Sequence, residues 1–172
     1  MIPRPESSLS ACPYTSSAYR LAFLIALFLC LSVLLSSCAE NNSPESISAD
    51  FIERCESIIE KRQLRKLKNL VSELYLDQQG RNKQNISAIS AGYILRNKNI
   101  HIYSRLISAA KNGNQIKATI LTAIAGAPIY DTSMLPSLNA DMYWFDVVLV
   151  EKDGDWLIAY ARWRQAMLDD FF

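Results

Sequence analysis

The chain has few of the side chains that metal sites and nucleophilic sites use. Its 172 residues include a single histidine, His101, and four cysteines. A structural zinc site takes four Cys or His ligands, which this sequence is poorly equipped to supply. The five glycines are scattered and form no dinucleotide-binding or Walker pattern, and no Gly-x-Ser-x-Gly segment occurs. The sequence therefore predicts neither a metal site nor a cofactor.

An excess of positive charge is also missing. The formal net charge of the chain is +1, and without residues 1–37 the remaining chain keeps 16 basic and 16 acidic residues, because only Arg4, Arg20 and Glu6 leave. Affinity for nucleic acid rests on an excess of cationic charge. The composition therefore argues against a nucleic-acid partner.

The one long apolar run lies near the amino terminus. Arg20 is followed by an uncharged stretch from Leu21 to Leu35, which ends in Leu35-Ser36-Ser37-Cys38. An apolar run that closes on small residues is typical of an export leader before its cleavage site. The tetrapeptide resembles the bacterial lipobox. That resemblance implies cleavage before Cys38, lipid (palmitate among the acyl chains) on Cys38, and, because Ala39 rather than Asp follows, the periplasmic face of the outer membrane.

An uncleaved transmembrane anchor is the alternative interpretation of this run. The uncharged stretch would make about 22 Å of helix at about 1.5 Å per residue, and a bilayer core is about 30 Å thick. We therefore favour three parts: a leader over residues 1–37, a tether over residues 38–46, and one domain over residues 47–172. With Cys12 and Cys30 in the leader and Cys38 lipidated, Cys55 stands alone as a small core residue, and no disulfide is expected.

Apolar spacing predicts three helices at the start of the domain. They cover residues 47–59, 62–74 and 83–97, and Ser46 or Ser48 is available to cap the first. Tyr75 to Gly80 is predicted to be a turn. The second helix carries the cations Lys61, Arg62, Arg65, Lys66 and Lys68. They would suit anionic lipid headgroups, but a solvated helix face is the simpler interpretation.

Alternating apolar residues predict about four strands in the second half. Strands over residues 100–107 and 116–125 form one hairpin, and strands over 142–151 and 156–163 form another around Asp153-Gly154. Trp156 is expected in the core. On the third strand, Trp144, Val148 and Val150 are apolar on the face that should be wet. Either a homodimer forms through the sheet, or the terminal Phe171-Phe172 covers these residues.

Helices followed by an antiparallel sheet indicate an α+β fold in which helices cover one face. The closing hairpin, Asp141 to Ile158, followed by Ala161-Arg162-Trp163, resembles the nuclear transport factor 2-like and SnoaL-like superfamily, whose fold is a cystatin-like cone. The segments Tyr75 to Gly80, Ile100 to Arg105 and Ala161 to Arg164 are similar to members that have no assigned activity. The resemblance implies a curved sheet wrapped around helices, with a pocket at the mouth of the cone.

The resemblance also implies where a site would lie. Enzymes of this fold place an Asp–His pair, or an Asp with Tyr, in the cone mouth, which makes His101 with Asp77, Asp146 or Asp141 the catalytic candidates. The predicted pocket residues are Tyr75, Tyr93, Tyr103, Arg105, Tyr143 and Trp163. A cavity holding His101 beside a carboxylate would favour an isomerase or dehydratase, and a filled cone would favour a scaffold.

Our leading interpretation is a lipid-anchored envelope protein whose domain binds a small ligand or acts as a scaffold without catalysis. An enzyme, or a structural subunit of an envelope assembly, is the alternative. The partners expected are the membrane, an unknown small ligand or envelope protein, and a second copy of the chain.

Overall fold

The first helix begins at a serine–proline pair. The computed structural model describes residues 42–172, so the predicted leader and Cys38 lie outside the described residues. Helix α1 spans Pro44–Glu60, and the Ser43 side chain accepts a hydrogen bond of 3.1 Å from the Ser46 N–H. Proline suits the first helical position because its missing N–H would have no partner there. The helix starts inside the predicted tether, and the predicted caps Ser46 and Ser48 are wrong.

The segment after α1 differs most from the prediction. Helix α2 spans only Leu64–Asn69, and strand β1 spans Val71–Asp77, where a continuous helix was expected up to Leu74. Leu74 fits a helical period but is 88% exposed. Strand β1 instead pairs in parallel with the last strand of the sheet. A helical pattern of apolar residues is only weak evidence for a helix. Here it is overridden by the pairing of β1 with the sheet and by the burial of Val71 and Tyr75.

The third helix is where the sequence placed it. Helix α3 spans Lys83–Arg96, and the side chains of Asn82 and Asn85 each accept a hydrogen bond from the other's N–H. Gly80 has a φ of +73°, which lets the preceding turn reverse the chain. Within residues 42–172, no helix is both long enough and apolar enough to cross a membrane.

The sheet has five strands instead of about four. Strands β2 (His101–Asn112), β3 (Gln115–Ala125), β4 (Asp141–Lys152) and β5 (Asp155–Gln165) pair antiparallel in sequence order, as predicted. Strand β1 lies on the far side of β5, which gives the order β1-β5-β4-β3-β2. The α+β class is confirmed, and the extra strand is the part of the chain predicted as helix.

The inner face of the sheet packs against α1 and forms the larger core. Ile116 and Leu149 are almost fully buried there, together with Phe51 and Ile58 from the helix. Burying a side chain of this size contributes about 1.5–3 kcal/mol. Trp156 packs against the same cluster but is only half-buried. All of these residues belong to the described segment, which therefore contains its own core.

The outer face is covered at one end by the connection and the tail. Leu121 packs there with Leu135, from the 3-10 turn Thr132–Ser137, and with Phe171, from the 3-10 turn Leu168–Phe171. Trp144 joins this cluster. Val148 and Val150 are half-buried and lie outside it. The tail therefore covers the tryptophan of the predicted apolar stripe and leaves the two valines partly exposed.

Candidate functional site

A cavity of about 380 Å³ lies between the inner face of the sheet and helices α1 and α3. Its wall is mainly apolar and aromatic, and includes Phe51, Ile86, Ile120 and Phe145. Four of the predicted pocket residues also line it: Tyr75, Tyr93, Tyr143 and Trp163. Tyr103 and Arg105 do not. The side chains of the described residues therefore leave the cone partly unfilled.

Strand alternation decides which predicted residues reach the cavity. On β2, Ile102 and Ser104 face inward, whereas Tyr103 and Arg105 face outward. Arg105 donates hydrogen bonds to the carbonyl oxygens of Phe171 (2.8 Å) and Asp170 (3.1 Å). The structure thus places Arg105 at the carboxyl-terminal turn, where it holds the tail onto the outer face.

Aromatic rings make up one side of the cavity wall. The ring centroids of Tyr143 and Phe145 are 5.8 Å apart, and those of Phe145 and Trp163 are 6.2 Å apart. These spacings are favourable for aromatic pairs. The Arg81 guanidinium carbon lies 4.7 Å from the centroid of the Trp163 ring. The rings of these two pairs are tilted to one another, by 46° and 41°, and together present an apolar surface to an occupant.

The tyrosines of the wall are neutral at physiological pH. Burial raises the pKa of Tyr75 to about 12, and the Asp77 carboxylate acts in the same direction. Burial also raises the pKa of Tyr93 to about 12, assisted by Asp141, to which the Tyr93 hydroxyl donates a hydrogen bond of 3.3 Å. Neither phenol can therefore act as a base here.

Cys55 lies in the same wall as a protonated thiol. Burial raises its pKa to about 12, and the Glu56 charge adds to this effect while Arg54 opposes it. Because the thiolate is the nucleophilic form, Cys55 is not a reactive cysteine. Within residues 42–172, no group of three or more His, Cys, Asp or Glu side chains is arranged to hold a metal ion.

Glu56 is the ionisable carboxyl group of the cavity, and the sequence interpretation missed it. Burial raises its pKa, and the neighbouring Glu60 and Glu53 charges add to the rise, while the Ser104 hydroxyl and N–H offset part of it. Its Oε1 atom is buried, and no donor among residues 42–172 makes a hydrogen bond to it. The sequence contains one indication that Glu56 lies in the cavity wall, which is its position directly after Cys55 on the buried side of α1.

The predicted catalytic histidine lies away from this carboxyl group. His101 is half-buried at the start of β2, and it is not part of the cavity wall. In the described chain it makes no salt bridge with a carboxylate, and neither Asp77 nor Asp146 lines the cavity. The structure thus does not bring the predicted His–Asp pair together.

The Asp77 side chain stabilises the turn that precedes α3. Its side chain accepts hydrogen bonds from the N–H groups of Gln79 (2.8 Å) and Arg81 (2.9 Å) and from the Arg81 guanidinium (2.6 Å). Burial acts to raise the pKa of this carboxyl group, but these bonds outweigh it and hold the pKa below its ordinary value. Asp77 is therefore a charged turn residue with its acceptor sites occupied.

Asp146 and Asp141 are also engaged outside the cavity. Asp146 accepts from Thr119 (2.9 Å) and Arg162 (2.7 Å) on the outer face. Burial acts to raise its pKa, but the Arg162 and Thr119 contacts lower it overall. Asp141 is exposed and reaches the cavity only through the Tyr93 hydroxyl.

Comparisons with known proteins identify the fold. No protein-family model matches the chain, and no curated protein matches it either. A candidate scytalone dehydratase from Novosphingobium aromaticivorans aligns with a TM-score of 0.57 and 12% identity, over 72% of this chain and 87% of that chain. A candidate dehydratase of the nuclear transport factor 2-like family from Streptomyces avermitilis gives 0.57 and 11% identity, over 72% and 97%.

A third similar structure has no assigned activity. It is a domain of unknown function with a cystatin-like fold from Nostoc punctiforme, with a TM-score of 0.55 and 13% identity, over 76% of this chain and 86% of that chain. The predicted resemblance to the nuclear transport factor 2-like, cystatin-like fold is confirmed. At these identities the likeness concerns the fold, and fold alone does not decide activity.

Proposed function

We propose that this chain is a lipid-anchored envelope protein whose cone binds a small, largely apolar molecule without transforming it. The observation that carries the binding part is the unfilled cavity of about 380 Å³ with an apolar, aromatic wall. Pockets for small molecules typically measure about 300–1,000 Å³ and combine such walls with a few polar groups. A scaffold would be expected to fill this space with its own side chains, because interiors are close-packed.

The non-catalytic part rests on how the acid–base groups predicted from the sequence are engaged, and on the absence of a His or Asp partner for Glu56 among the described residues of the cavity wall. A general base must come within about 3 Å of the proton that it removes. His101 is not in the cavity wall, and Asp77 and Asp146 are each bound to an arginine elsewhere. A dehydratase or isomerase built on these residues would need a different arrangement, so binding is the function that the geometry supports best.

The location of the protein follows from the predicted lipobox. Lipid on Cys38 would hold the cone at the periplasmic face of the outer membrane, where an apolar ligand exchanges with the bilayer or with a partner protein. The cations on and around α2, such as Arg65 and Lys66, are exposed and would favour contact with anionic headgroups.

A fluorescent binding assay tests the cavity as a ligand site. The neutral probe N-phenyl-1-naphthylamine, which brightens in apolar surroundings, is titrated into a chain starting at residue 42. Ser90 lines the cavity from α3, and Ser90→Phe should weaken binding by about tenfold, equivalent to about 1.4 kcal/mol, because the added ring takes up the space.

Gln84→Phe is the matched control, because Gln84 is exposed on the same helix. It adds the same ring without entering the cavity, so it should leave the affinity unchanged. Equal affinities of the wild type and Ser90→Phe would rule out the cavity as the site of binding. Circular dichroism of both variants shows whether α3 is intact.

A further inference from the structure

The cavity wall contains one charged side chain. Among residues 42–172, Glu56 lies in a wall that otherwise consists of apolar, aromatic, hydroxyl and thiol groups, and no Lys, Arg or His of this part of the chain contributes to it. Glu53 and Glu60 lie near enough on the same helix to repel its charge. Glu56 is therefore the group of this wall that can hold a negative charge towards an occupant, and a cation bound beside it would favour that charged form.

Glu56 also has bonding capacity that the protein leaves unused. Its Oε1 atom is buried without a hydrogen-bond donor among residues 42–172. A buried acceptor without a partner destabilises the folded protein, and more so when the group is charged, so native structures seldom retain one without a function. A donor carried by the occupant would satisfy this oxygen.

Two hydroxyl groups lie beside the carboxyl group on the sheet. The Ser104 and Thr122 oxygens are 3.1 Å apart, and both residues line the cavity. The Ser104 hydroxyl also acts on Glu56 by stabilising its charged form. A hydroxyl oxygen has two acceptor lone pairs, so each can accept from a ligand while it bonds to its neighbour. Glu56, Ser104 and Thr122 together offer three acceptors on one part of the wall.

From this grouping we infer that the cavity is a site for a small apolar amine, whose protonated nitrogen binds Glu56, Ser104 and Thr122 while its apolar body lies against the aromatic rings. A primary ammonium group carries three N–H donors and a positive charge, which match three acceptors, one of them the Glu56 carboxylate. Ligands with an acidic head group, such as fatty acids, are disfavoured because they would place a second negative charge beside Glu56. This inference rests on the proposed function and specifies the class of its ligand.

Three indole compounds that differ in the head group provide the test. Tryptamine has an ammonium group, tryptophol a hydroxyl group and indole-3-acetate a carboxylate, and all carry the same ring. Isothermal titration calorimetry at pH 7, with the chain starting at residue 42, should give affinities that decrease in the order tryptamine, tryptophol, indole-3-acetate. We expect tryptamine to bind about tenfold tighter than tryptophol, because hydrogen bonds to charged groups are roughly twice as strong as neutral ones and the difference in energy corresponds to about a tenfold change in affinity.

A neutral substitution then tests whether Glu56 causes the preference. Glu56→Gln keeps the size of the side chain and removes its charge, so tryptamine should lose its advantage over tryptophol while tryptophol binds as before. Glu151→Gln removes one carboxylate from an exposed position on β4 and should leave all three affinities unchanged. The wild-type comparison needs no variant, so it remains decisive even if Glu56→Gln does not fold.

The outcomes separate this inference from the proposed function. If tryptophol or indole-3-acetate binds the wild type as tightly as tryptamine does, the amine specificity is overturned and the cavity remains a ligand site. The same follows if only N-phenyl-1-naphthylamine binds, or if Glu56→Gln keeps the full preference for tryptamine. If neither the indoles nor the naphthylamine binds, both the inference and the proposed function are overturned.

Discussion

Single side chains show how an acidic residue can look catalytic in the sequence and have a structural role in the fold. Asp77 was a candidate base, yet its side chain is fully buried and bonded to two N–H groups and a guanidinium. An interior carboxylate with this many donors is stabilised in its charged form. Its contribution should therefore appear in stability, and should depend on pH.

We expect Asp77→Asn to lower the free energy of unfolding at pH 7 by about 1–3 kcal/mol, because the amide cannot accept all three hydrogen bonds. The pKa of Asp77 is lowered in the folded state, so its stabilisation is present above its unfolded pKa of about 3.9 and is lost as the pH falls through the folded value. Urea unfolding of both proteins from pH 7 down to pH 3 measures this. The two curves should converge at the acidic end.

Asp169→Asn serves as the control. It removes the same charge, and Asp169 is exposed in the carboxyl-terminal turn. Its effect on the unfolding free energy should be small at every pH. A constant difference between wild type and Asp77→Asn down to pH 3 would contradict the assigned role of the carboxylate charge.

Cys38 carries the second prediction at this scale. Only a thiol can form the thioether of a lipoprotein, so Cys38→Ser should abolish lipid attachment and cleavage before residue 38. Intact mass spectrometry of the membrane-extracted wild type should show a chain that starts at Cys38 and carries acyl mass. An unmodified Cys38, or a retained leader, would rule out the proposed anchor. Cys55→Ser is the control, since the Cys55 thiol is in the cavity wall.

Among the elements, the carboxyl-terminal turn depends on one arginine of β2. Arg105 donates to the carbonyl oxygens of Asp170 and Phe171, and the Phe171 ring is buried against Leu121 and Leu135. We expect Arg105→Met to destabilise the protein by about 1–3 kcal/mol, since it leaves acceptors and part of the outer-face cluster without support. Hydrogen exchange should also accelerate at residues 168–172.

Arg65→Met, on the exposed surface of α2, is the comparison for Arg105→Met. It removes the same charge and should change neither stability nor exchange at the tail. If Arg105→Met leaves exchange at residues 168–172 unchanged, the turn is held by the packing of Phe171 alone.

Elements with a strong local signal were predictable from sequence. Helix α3 and the hairpin of β4 and β5 lie within a few residues of the predicted bounds, because apolar periodicity and an Asp-Gly turn both act locally. Strand β1 was missed because Leu64, Leu67, Leu70, Val71 and Leu74 fit a helical period. Its actual state depends on β5, a partner more than eighty residues away.

The site could be predicted only in part, for a related reason. Alternation along β4 and the resemblance to the cone pointed to Tyr143 and Trp163, which do line the cavity, although their binding role is still a prediction. Glu56 was missed because its position after Cys55 is a weak signal, whereas its significance comes from the burial of one oxygen and from the neighbouring Ser104 on the sheet. Tyr103 and Arg105 were misplaced because sequence alone did not show which face of β2 is inward.

Over the whole molecule, the outer face of the sheet divides into two regions. Trp144 lies under the carboxyl-terminal tail, and the Arg164 guanidinium carbon is 4.8 Å from the centroid of its ring. At the other end Val148 pairs with Tyr160, which pairs in turn with Leu76 of β1. Tyr160 is 37% exposed and Leu76 is 52% exposed, so the three side chains form an uncovered apolar patch across three neighbouring strands.

Of the predicted dimer surface, Trp144, Val148 and Val150, this patch contains Val148, and we propose that two copies of the chain meet at the patch through a two-fold axis. A two-fold contact places the same patch on both copies, so each contact between apolar residues occurs twice. Burial contributes about 25 cal/mol per Å², but a stable interface needs a total of about 1,200–2,000 Å², so the patch must be the centre of a larger contact.

Sedimentation equilibrium of the chain from residue 42 measures the association. Val148→Lys should shift the wild-type dimer to monomer, because it introduces a charge at the centre of the contact. Trp144→Lys should instead lower the melting temperature with little effect on association, since Trp144 is half-buried and packs against the cluster under the chain's own tail. A wild type that is monomeric at tens of micromolar, or a dimer that persists with Val148→Lys, would exclude this surface as the interface.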